Sequence, residues 1–404
     1  MMSQERGGRW RFWWIFAVLA IILAAVLATI FIGNKVSSPS PEASNVVPKA
    51  SLITDVSSNI LFTGNVYWGR YINDWSMASP LKYTYPFSRL SEFNREKYNA
   101  WISGLECPLV SGVNLTSAEE DSTLSFNCSP EYLPEAAKWF TAFTLANNHT
   151  DNQGAEGFTE TKQHLEANSI QYFGHYDYKN VDDVCEVISL PVSVVKNDKT
   201  TTNGNLPVAM CGFHGVFGIP VADAVAQISK YSAYMPVIAM PHMGAEYKAS
   251  SDDIKINFYR SLIDAGADMV IGDHPHWIQN TESYKGHLIV YSMGNFIFDQ
   301  QDTTEVTRSA AINVLMAVKT VDSTAIQKWL TIGDSCKSFK DDCLEKIKSQ
   351  ALSKLDISYK FGAIGSNDSG KINKPASLDQ QTSILQRLDW QSTMVKLQPP
   401  YSSL

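Results

Sequence analysis

Short apolar runs alternate with amphipathic segments along the middle of the chain. Strand-length apolar runs such as Asn59–Thr63 and Ala100–Ser103 stop abruptly at a glycine. Segments with apolar or small residues at helical spacing, such as Gly154–Asn168 and Asp252–Ala265, lie between such runs. Because strands that alternate with helices favour covered sheets, the pattern predicts an α/β fold. We expect a sandwich of mixed β-sheets flanked by helices.

The same pattern places the remaining elements. Further strands are predicted at Phe143–Ala146, Ile170–Phe173, Val184–Val195, Leu206–Phe213, Pro236–Met240, Ala267–Ile271, Leu288–Ser292 and Ala310–Val318. Helices are predicted at Leu133–Trp139 and, with a charged surface, at Lys340–Leu355. The polar stretch Lys196–Asn205 predicts a turn, Gly362–Gln380 predicts a loop, and Arg387–Leu397 fits either a strand or a helix. The stretch Val290–Phe296 is interpreted as a core strand and turn without a chemical motif.

The N-terminus carries an uncharged stretch, Phe12–Gly33, of 22 residues. At about 1.5 Å per residue it is long enough to span a hydrocarbon core. Three arginines precede it and only Lys35 follows closely, so the positive-inside bias puts residues 1–11 in the cytoplasm. We expect a single-pass anchor at 12–33, a Ser/Pro-rich linker at 34–50 and an extracytoplasmic domain. A cleaved signal peptide is the alternative, although its apolar region is usually about 7–15 residues long.

Composition and charge narrow the class of protein. The 404 residues are 44% hydrophobic and 18% charged, which suits one large domain or two modest ones. We expect a main domain over 51–304 and a C-terminal extension, 305–404, packed on it. The net charge of −8 argues against non-specific nucleic-acid binding, which needs a basic surface.

All 6 cysteines follow the apolar stretch. An even number in an extracytoplasmic domain is compatible with disulfides, and we expect sequential pairing. Cys336–Cys343 is the most credible pair because the loop between them is short. Buried free thiols are the alternative.

Polar phrases that follow three apolar runs carry the candidate chemistry. They are Asn147-Asn148-His149 after Phe143–Ala146, His242 after Val237–Met240, and His274-Pro275-His276 after Met269–Ile271. Strand ends in α/β sheets present such groups to a crevice. Imidazole, carboxylate and amide ligands together suit Zn, Mn or Fe.

These residues fit a hydrolytic site with one or two divalent metal ions. Such a site needs a bridging carboxylate, imidazoles and often an amide ligand. Glu106 is the predicted bridge, Asn148 the amide ligand, and His242, His274 and His276 the imidazole ligands. His149 is a candidate to protonate a leaving group or to hold a substrate oxyanion. Taken singly, each also fits a surface acid, a turn or a half-buried histidine.

Six phrases in order resemble the CapA family of capsule-synthesis proteins, over residues 59–300. They are Phe62–Arg70 (FTGNVYWGR), Gly104–Leu109 (GLECPL), Leu145–Gly157 (LANNHTDNQGAEG), His242–Tyr247 (HMGAEY), Leu262–Gln279 (LIDAGADMVIGDHPHWIQ) and Val290–Phe298 (VYSMGNFIF). The resemblance implies a calcineurin-like metallophosphatase fold, an N-terminal membrane anchor and a role in poly-γ-glutamate capsule production.

The resemblance also extends the candidate site. It implies Asn65 as a metal ligand and Arg70 as a partner for an anionic substrate group. Glu246, with Asn147 and Asp151, is expected beside the pocket, where Glu246 orients a ligand. The family usually has Asp at the position of Asn65, Asn at that of Gly104, and an acid at that of Asn152. An amide at position 65 lacks charge, so one metal position is expected to bind more weakly.

Two functional classes fit these observations. One is a metal-dependent hydrolase or transferase, phosphoesterase-like, that acts on an envelope polymer or a phosphate ester. The other is a non-catalytic anchored protein that binds or guides an anionic capsule polymer. The cell membrane and other capsule-synthesis membrane proteins are the candidate partners. The three-histidine set favours the first class, and Asn65 favours the second.

Overall fold

The computed structural model describes residues 52–319, 321–337 and 340–404, without the side chains of residues 340 and 341. The predicted cytoplasmic segment, anchor and linker, residues 1–50, lie outside the described residues. None of the helices in the described ranges is long and apolar enough to cross a bilayer.

Strands account for most of the interior of the described chain. In order, they are β1 (Ile53–Phe62), β2 (Asn65–Val66), β3 (Ala100–Gly104), β4 (Ala142–Thr144), β5 (Gln171–Phe173), β6 (Cys185–Lys196), β7 (Thr201–His214), β8 (Val237–His242), β9 (Met269–Ile271), β10 (Thr281–Tyr284), β11 (His287–Val290), β12 (Asn295–Ile297), β13 (Arg308–Val318), β14 (Ile357–Asn367), β15 (Lys374–Pro375) and β16 (Tyr401–Ser403).

Helices cover the sheet and line its ends. The α-helices are α1 (Arg70–Ala78), α2 (Ser117–Thr123), α3 (Leu133–Ala136), α4 (Gly154–Ala167), α5 (Ala222–Ser232), α6 (Asp253–Asp264), α7 (Ser323–Cys336), α8 (Lys340–Ser349), α9 (Leu378–Arg387) and α10 (Trp390–Met394). Short 3₁₀ turns lie at Lys82–Phe87, Leu90–Phe93, Arg95–Lys97 and Pro130–Tyr132.

One mixed sheet of 14 strands runs through the domain and branches at β1. The first half of β1 pairs antiparallel with β6, which leads through β7, β8, β9 and β11 to β10. Its second half pairs parallel with β3, which leads through β4 to β5, and antiparallel with β13. The predicted mixed sheet flanked by helices is therefore confirmed.

Alternating side chains of β1 separate two hydrophobic cores. Ile60 and Phe62 face the larger core, whereas Leu61 faces an aromatic-rich core that also contains Trp101 and Phe143. This follows from the period of two in a strand. Where β1 lies between the two cores it is buried on both faces, which explains the continuous apolar run in the sequence.

The two branches meet again at the tips of β5 and β7. A Cβ on Gly174 would lie 3.0 Å from the Cα of Gly212, and a Cβ on Gly212 would lie equally close to Gly174. Gly174 also has a φ of +80°. The side-chain amide of Gln171 bonds the backbone of Ser189 twice, at 2.8 and 3.0 Å, and so joins β5 to β6. The branches are thereby held together beside the crevice.

Three disulfides join the cysteines in sequence order, Cys107–Cys128, Cys185–Cys211 and Cys336–Cys343. The predicted Cys336–Cys343 pair has a Cα–Cα distance of 5.3 Å, within the usual range for a disulfide. It ties the end of α7 to α8. The Cys107–Cys128 pair ties the segment after β3 to the chain before α3.

Some predicted elements were wrong. The predicted turn Lys196–Asn205 is mostly strand, because β6 runs to Lys196 and β7 begins at Thr201. The start of β7 is exposed, so it has no apolar alternation. The predicted loop Gly362–Gln380 contains the end of β14, all of β15 and the start of α9.

The segment after residue 304 contributes to the main sheet. Strand β13 pairs with β1 from Ser57↔Ala317 to Phe62↔Ile312, and residues Ser51–Leu404 form one compact unit. The expected boundary between 304 and 305 stays a prediction.

Candidate metal centre

The predicted ligands lie at one edge of the sheet. Strands β7, β8 and β9 are parallel neighbours, as are β1, β3 and β4. Parallel strands present their carboxyl ends at the same edge. The ligand positions follow these ends: Asn65 after β1, Glu106 after β3, Asn148 after β4, His242 at the end of β8, and His274 and His276 after β9.

His242 lies at the centre of the first group of contacts. Its Nε2 is 2.9 Å from Asn148 Oδ1, 3.1 Å from His274 Nδ1 and 3.9 Å from Glu106 Oε1. His242 and Glu106 are almost completely buried. One imidazole nitrogen therefore faces an amide oxygen, a carboxylate and a second imidazole.

His276 completes the group from the opposite side. Its Nε2 is 3.7 Å from Glu106 Oε1, and ligand atoms of Glu106, His274 and His276 all lie within 4.8 Å of one another. The two histidines have φ angles of +95° and +59°, in the left-handed region. Such backbone strain in a residue with a Cβ often marks a functional site.

The hydrogen-bond network assigns the tautomer of His276. The Asn295 amide donates to Gln300 Oε1 at 3.0 Å and to the Val306 carbonyl at 3.3 Å. Its Oδ1 therefore faces His276 Nδ1, 2.8 Å away, and accepts a hydrogen bond from it. The lone pair of His276 is left on Nε2, which faces Glu106. Metal-binding histidines are typically oriented in this way.

The electrostatics of the group favour a cation. Neither carboxylate oxygen of Glu106 has a hydrogen-bond partner among the described residues. Burial, and then repulsion by Asp273, raise the pKa of Glu106 well above its usual value. Burial lowers the pKa of His276 to about 4, and those of His242 and His274 well below normal, so their rings are neutral at pH 7.

The residues present fit a divalent metal. An ionised buried carboxylate without partners is costly unless a cation compensates it. Neutral imidazoles beside it supply the nitrogen ligands that Zn, Mn and Fe accept. In the described structure, ligand atoms of Glu106, His274 and His276 lie close enough to share one ion. We predict that Glu106, Asn148, His242 and His274 form the tighter of two sites, and that Asn65 and His276 complete a weaker second one.

Asn65 lies beside this group and is buried. Its Nδ2 is 3.2 Å from His276 Nδ1 and 3.4 Å from Asn295 Oδ1, while its Oδ1 has no hydrogen-bond partner in the described structure. An unpartnered amide oxygen is available as a ligand, but it is neutral.

Arg70 and His149 both pack against Phe126. The Arg70 guanidinium is 4.6 Å from the Phe126 ring centroid, and the His149 ring stacks on it at 4.0 Å. Arg70 donates two hydrogen bonds to Asp299, at 2.7 and 2.8 Å, and is buried. Its charge is therefore already paired, which differs from the expected role of binding an anionic substrate.

His149 makes a side-chain contact with Asn152. Its Nδ1 is 2.9 Å from Asn152 Oδ1, an oxygen that also accepts from the Phe126 backbone. Burial lowers the pKa of His149 to about 4, so the ring is neutral at pH 7. Within the described residues, no hydrogen bond joins this ring to Glu106 or the three ligand histidines. The expectation that it protonates a leaving group gains no support from this geometry.

The other predicted pocket residues have different surroundings. Glu246 is largely exposed at the rim, with Oε1 4.0 Å from His276 Nε2. Asn147 is structural: its Nδ2 donates to the Leu105 carbonyl and its Oδ1 accepts from the backbone of His149. Burial raises the pKa of the half-buried Asp151, which lies near His214.

Sequence reasoning missed several residues of the site. Asn295, on a stretch interpreted as core, orients His276. Asp273 is buried beside Gly104, and its oxygens have no partner in the described chain. His214 pairs with His242 in the β7–β8 register, donates from Nδ1 to the Tyr176 carbonyl, and leaves Nε2 unpartnered. His214 follows an apolar run, which was an available signal.

Fold and site together define an α/β protein with a buried histidine–carboxylate–amide centre at the edge of its mixed sheet. A family model described as bacterial capsule synthesis protein PGA_cap matches residues 59–300. The chain belongs to this capsule-synthesis family, as its resemblance to CapA proteins predicted.

Two relatives from Bacillus extend the comparison. The chain is 27% identical over 285 residues to the PGA biosynthesis protein CapA of Bacillus subtilis, covering 66% of this chain and 69% of that protein. It is 27% identical over 261 residues to the capsule biosynthesis protein CapA of Bacillus anthracis. That second match spans 59% of each chain, so it covers less than two thirds of the relative.

Proposed function

We propose that this chain is a membrane-anchored extracytoplasmic protein of capsule or poly-γ-glutamate type polymer synthesis or export, with a metal-dependent, phosphoesterase-like site. Membership of the capsule-synthesis family supports the proposed role in polymer synthesis or export. The names of the two Bacillus relatives point the same way. The uncharged stretch at 12–33 supports the anchor, with 34–50 as linker, 51–304 as the metallophosphatase-like domain and 305–404 as its extension.

The observation that carries the metal proposal is the buried Glu106 carboxylate. It has no hydrogen-bond partner in the described structure, yet three neutral imidazoles surround it. Removing a carboxylate from water without hydrogen bonds or a counter-charge is strongly unfavourable. One or two divalent ions, Mn, Zn or Fe, would balance it.

Each residue has a defined task in this proposal. Glu106, His242, His274, His276 and Asn148 hold the metal, and Asn65 contributes a neutral oxygen. A bound divalent cation supplies Lewis-acid activation of a phosphoryl or carbonyl group. Asn295 fixes the His276 ring, and Glu246 at the rim lies where it can contact substrate or orient a ligand. Arg70 and His149 pack against the Phe126 ring and lie close enough to the centre to lower the pKa of His276 by their charge.

Metal analysis of the purified protein tests the proposal. Elemental analysis should find closer to one divalent ion than two per wild-type chain, and His274→Ala should remove the tighter one. His164→Ala provides the control, because His164 lies on the surface of α4 and should keep wild-type metal content. Wild-type protein that remains metal-free after exposure to Mn, Zn and Fe would overturn the proposal.

A second candidate is a non-catalytic protein that binds or guides an anionic envelope polymer. Asn65 favours it, because a neutral amide weakens a two-metal site. The two proposals differ in a generic phosphodiester assay combined with co-sedimentation on poly-γ-glutamate. A protein that co-sediments with poly-γ-glutamate, but neither binds metal nor hydrolyses the phosphodiester, would support the second candidate alone.

A further inference from the structure

A second group of buried oxygen atoms lies at the turn between β14 and β15. These strands pair Ser366 with Pro375 and Asn367 with Lys374. The next opposing positions in this antiparallel register are Asp368 and Asn373. Opposing residues of an antiparallel pair have their Cβ atoms about 4.5–5.5 Å apart. The two side chains therefore share one face of the turn.

Strand β13 brings a third residue to the same row. β13 and β14 pair Ser309 with Ser366, and the backbone N–H of Asp368 donates to the Thr307 carbonyl at 2.9 Å. Thr307, Asp368 and Asn373 thus occupy adjacent positions just beyond the paired ends of β13, β14 and β15. All three are buried.

The side chains of Asp368 and Asn373 lack hydrogen-bond partners. Asp368 is 3% exposed and Asn373 is 2% exposed. Both carboxylate oxygens of Asp368, and both the oxygen and nitrogen of the Asn373 amide, are unpaired within the described residues. A buried polar group without a partner is energetically costly. Two such side chains at opposing positions of one turn point to a missing ligand.

The surrounding charges leave this carboxylate uncompensated. Burial, reinforced by repulsion from Asp299, raises the pKa of Asp368 well above its usual value, although backbone N–H hydrogen bonding and the Gln301 side chain, whose Nε2 donates to the Asp368 carbonyl at 3.3 Å, act against that rise. Arg70 is committed to Asp299 through two hydrogen bonds. The Lys371 ammonium, in the same turn, lies 4.6 Å from the centroid of the Trp75 ring.

We propose that Asp368 and Asn373 bind a hard divalent cation, calcium, through their side-chain oxygens. The donors are oxygen only, which suits calcium and disfavours the metals that imidazoles bind. With a single carboxylate, the affinity should be low, about 10⁻⁴–10⁻³ M, as in extracellular calcium modules. The site lies beyond residue 300, outside the segment matched by the family, and its ligands are separate from the histidine centre.

The role of such a cation would be structural. It would join β13, β14 and β15 at the point where their turn packs against α1 through Lys371 and Trp75. Helix α1 begins at Arg70. Calcium would thus fix this C-terminal turn against α1.

Calcium titration of the full-length protein in detergent tests the proposal. The wild-type thermal midpoint should rise with millimolar calcium, and bound Tb³⁺ should luminesce by energy transfer from Trp75 and be displaced by calcium. Asp368→Asn keeps the shape and removes the charge, so it should weaken both responses at least tenfold. Asp379→Asn, on exposed α9, is the matched control and should behave as wild type.

Two further variants separate this site from the histidine centre. Asn373→Asp adds a second carboxylate and should tighten calcium binding by on the order of tenfold, since affinity follows ligand charge. Glu106→Gln should leave the calcium response unchanged. If wild type shows no calcium response, or if Asp368→Asn responds like wild type, the site does not exist. A response lost in Glu106→Gln would assign the calcium to the histidine centre and equally refute the proposal.

Discussion

Two buried glutamates in this molecule, Glu106 and Glu120, differ in their hydrogen-bond partners. Glu106 has no hydrogen-bond partner among the described residues, whereas Glu120 accepts backbone N–H bonds from Arg70 at 2.8 Å and Asn127 at 2.7 Å. A carboxylate that is already satisfied stabilises the fold by itself. A carboxylate without partners stabilises it only when a ligand arrives.

The first prediction compares these two residues. Without metal, the free energy of unfolding of Glu106→Gln should lie within about 1 kcal/mol of the wild-type value or exceed it. That of Glu120→Gln should be lower than wild type by about 1.5–3 kcal/mol. With metal at about 100 times its Kd, wild type should gain about 2.7 kcal/mol and Glu106→Gln should gain none. Chemical denaturation with and without metal measures all four values. A large loss for metal-free Glu106→Gln would show that Glu106 is satisfied by the protein itself.

Asn65 gives a prediction about metal stoichiometry. Asn65→Asp puts a negative charge at the position whose amide Oδ1 has no hydrogen-bond partner in the described structure, so it should raise occupancy of a second metal. If the protein is an enzyme, its hydrolytic rate should also rise. Elemental analysis and a phosphodiester assay measure the two effects. Two tightly held metals in wild type would show that the amide at position 65 is not limiting.

His276 gives a prediction about pH. Its pKa is lowered to about 4 by burial, below the value of about 6.5 in an unfolded chain. The unfolded chain therefore binds the proton more readily between these values, and stability falls as pH drops through this window. In metal-free protein, His276 should contribute about 3 kcal/mol of this loss. Unfolding curves at pH 7 and pH 4 should differ less for His276→Gln than for wild type, and an equal difference would contradict the assignment.

At this scale, the sequence could predict ligands but not the residues that orient them. His274 and His276 were found because two imidazoles directly follow an apolar run. Asn295 was missed because its role depends on a hydrogen bond that forms only in the folded chain, where His276 Nδ1 lies 2.8 Å from its amide oxygen. Nor could the sequence predict that Asp299 pairs with Arg70, since that bond joins residues 229 positions apart.

At the scale of elements, disulfides differ in what they hold. Cys107–Cys128 ties the chain next to Glu106 to the segment that carries Phe126, whereas Cys336–Cys343 joins α7 to α8. The two bridges close loops with sequence separations of 21 and 7 residues. On loop entropy alone they should contribute roughly 3 and 2–3 kcal/mol, respectively.

We therefore predict that the two bridges separate stability from metal binding. Replacing Cys107 and Cys128 by Ala should lower both stability and metal affinity, because the bridge holds the residue next to Glu106 against the segment that carries Phe126. Replacing Cys336 and Cys343 by Ala should lower stability with metal affinity unchanged. Calorimetric metal titrations on both variants measure this difference. Equal metal affinity in the two variants would show that the first bridge does not position the site.

The elements themselves were predictable where burial follows a simple period. Strand β8 is buried throughout and was recognised from its apolar run. Helix α5 was missed because only Ala224 and Ile228 on one face are buried. Its remaining residues do not alternate clearly between apolar and polar at helical spacing. The start of β7 was missed because its exposed residues receive their strand conformation from pairing with β6.

For the whole molecule, the N-terminal stretch gives the prediction about topology. Protease treatment of intact cells should release a soluble fragment that begins within or after residues 34–50, because an anchor at 12–33 with a cytoplasmic N-terminus would leave the domain outside. Immunoblotting and N-terminal sequencing of the released fragment measure this. A cytoplasmic marker protein must stay intact in the same cells. A domain that resists protease until the cells are lysed would refute the orientation.

Strands β2 and β12 form a short parallel pair in which Asn65 lies beside Asn295, 230 positions later in the chain. The histidine centre is therefore assembled late: a chain that has emerged only as far as Asn148 has one carboxylate and two amides, and no imidazole ligand. Contacts of such long range form slowly, after the intervening strands have docked. An exported chain would accordingly cross the membrane without its metal. The identity of the bound ion would then depend on which metals are available outside the membrane, where folding ends, and not on those available in the cytoplasm, where translation began.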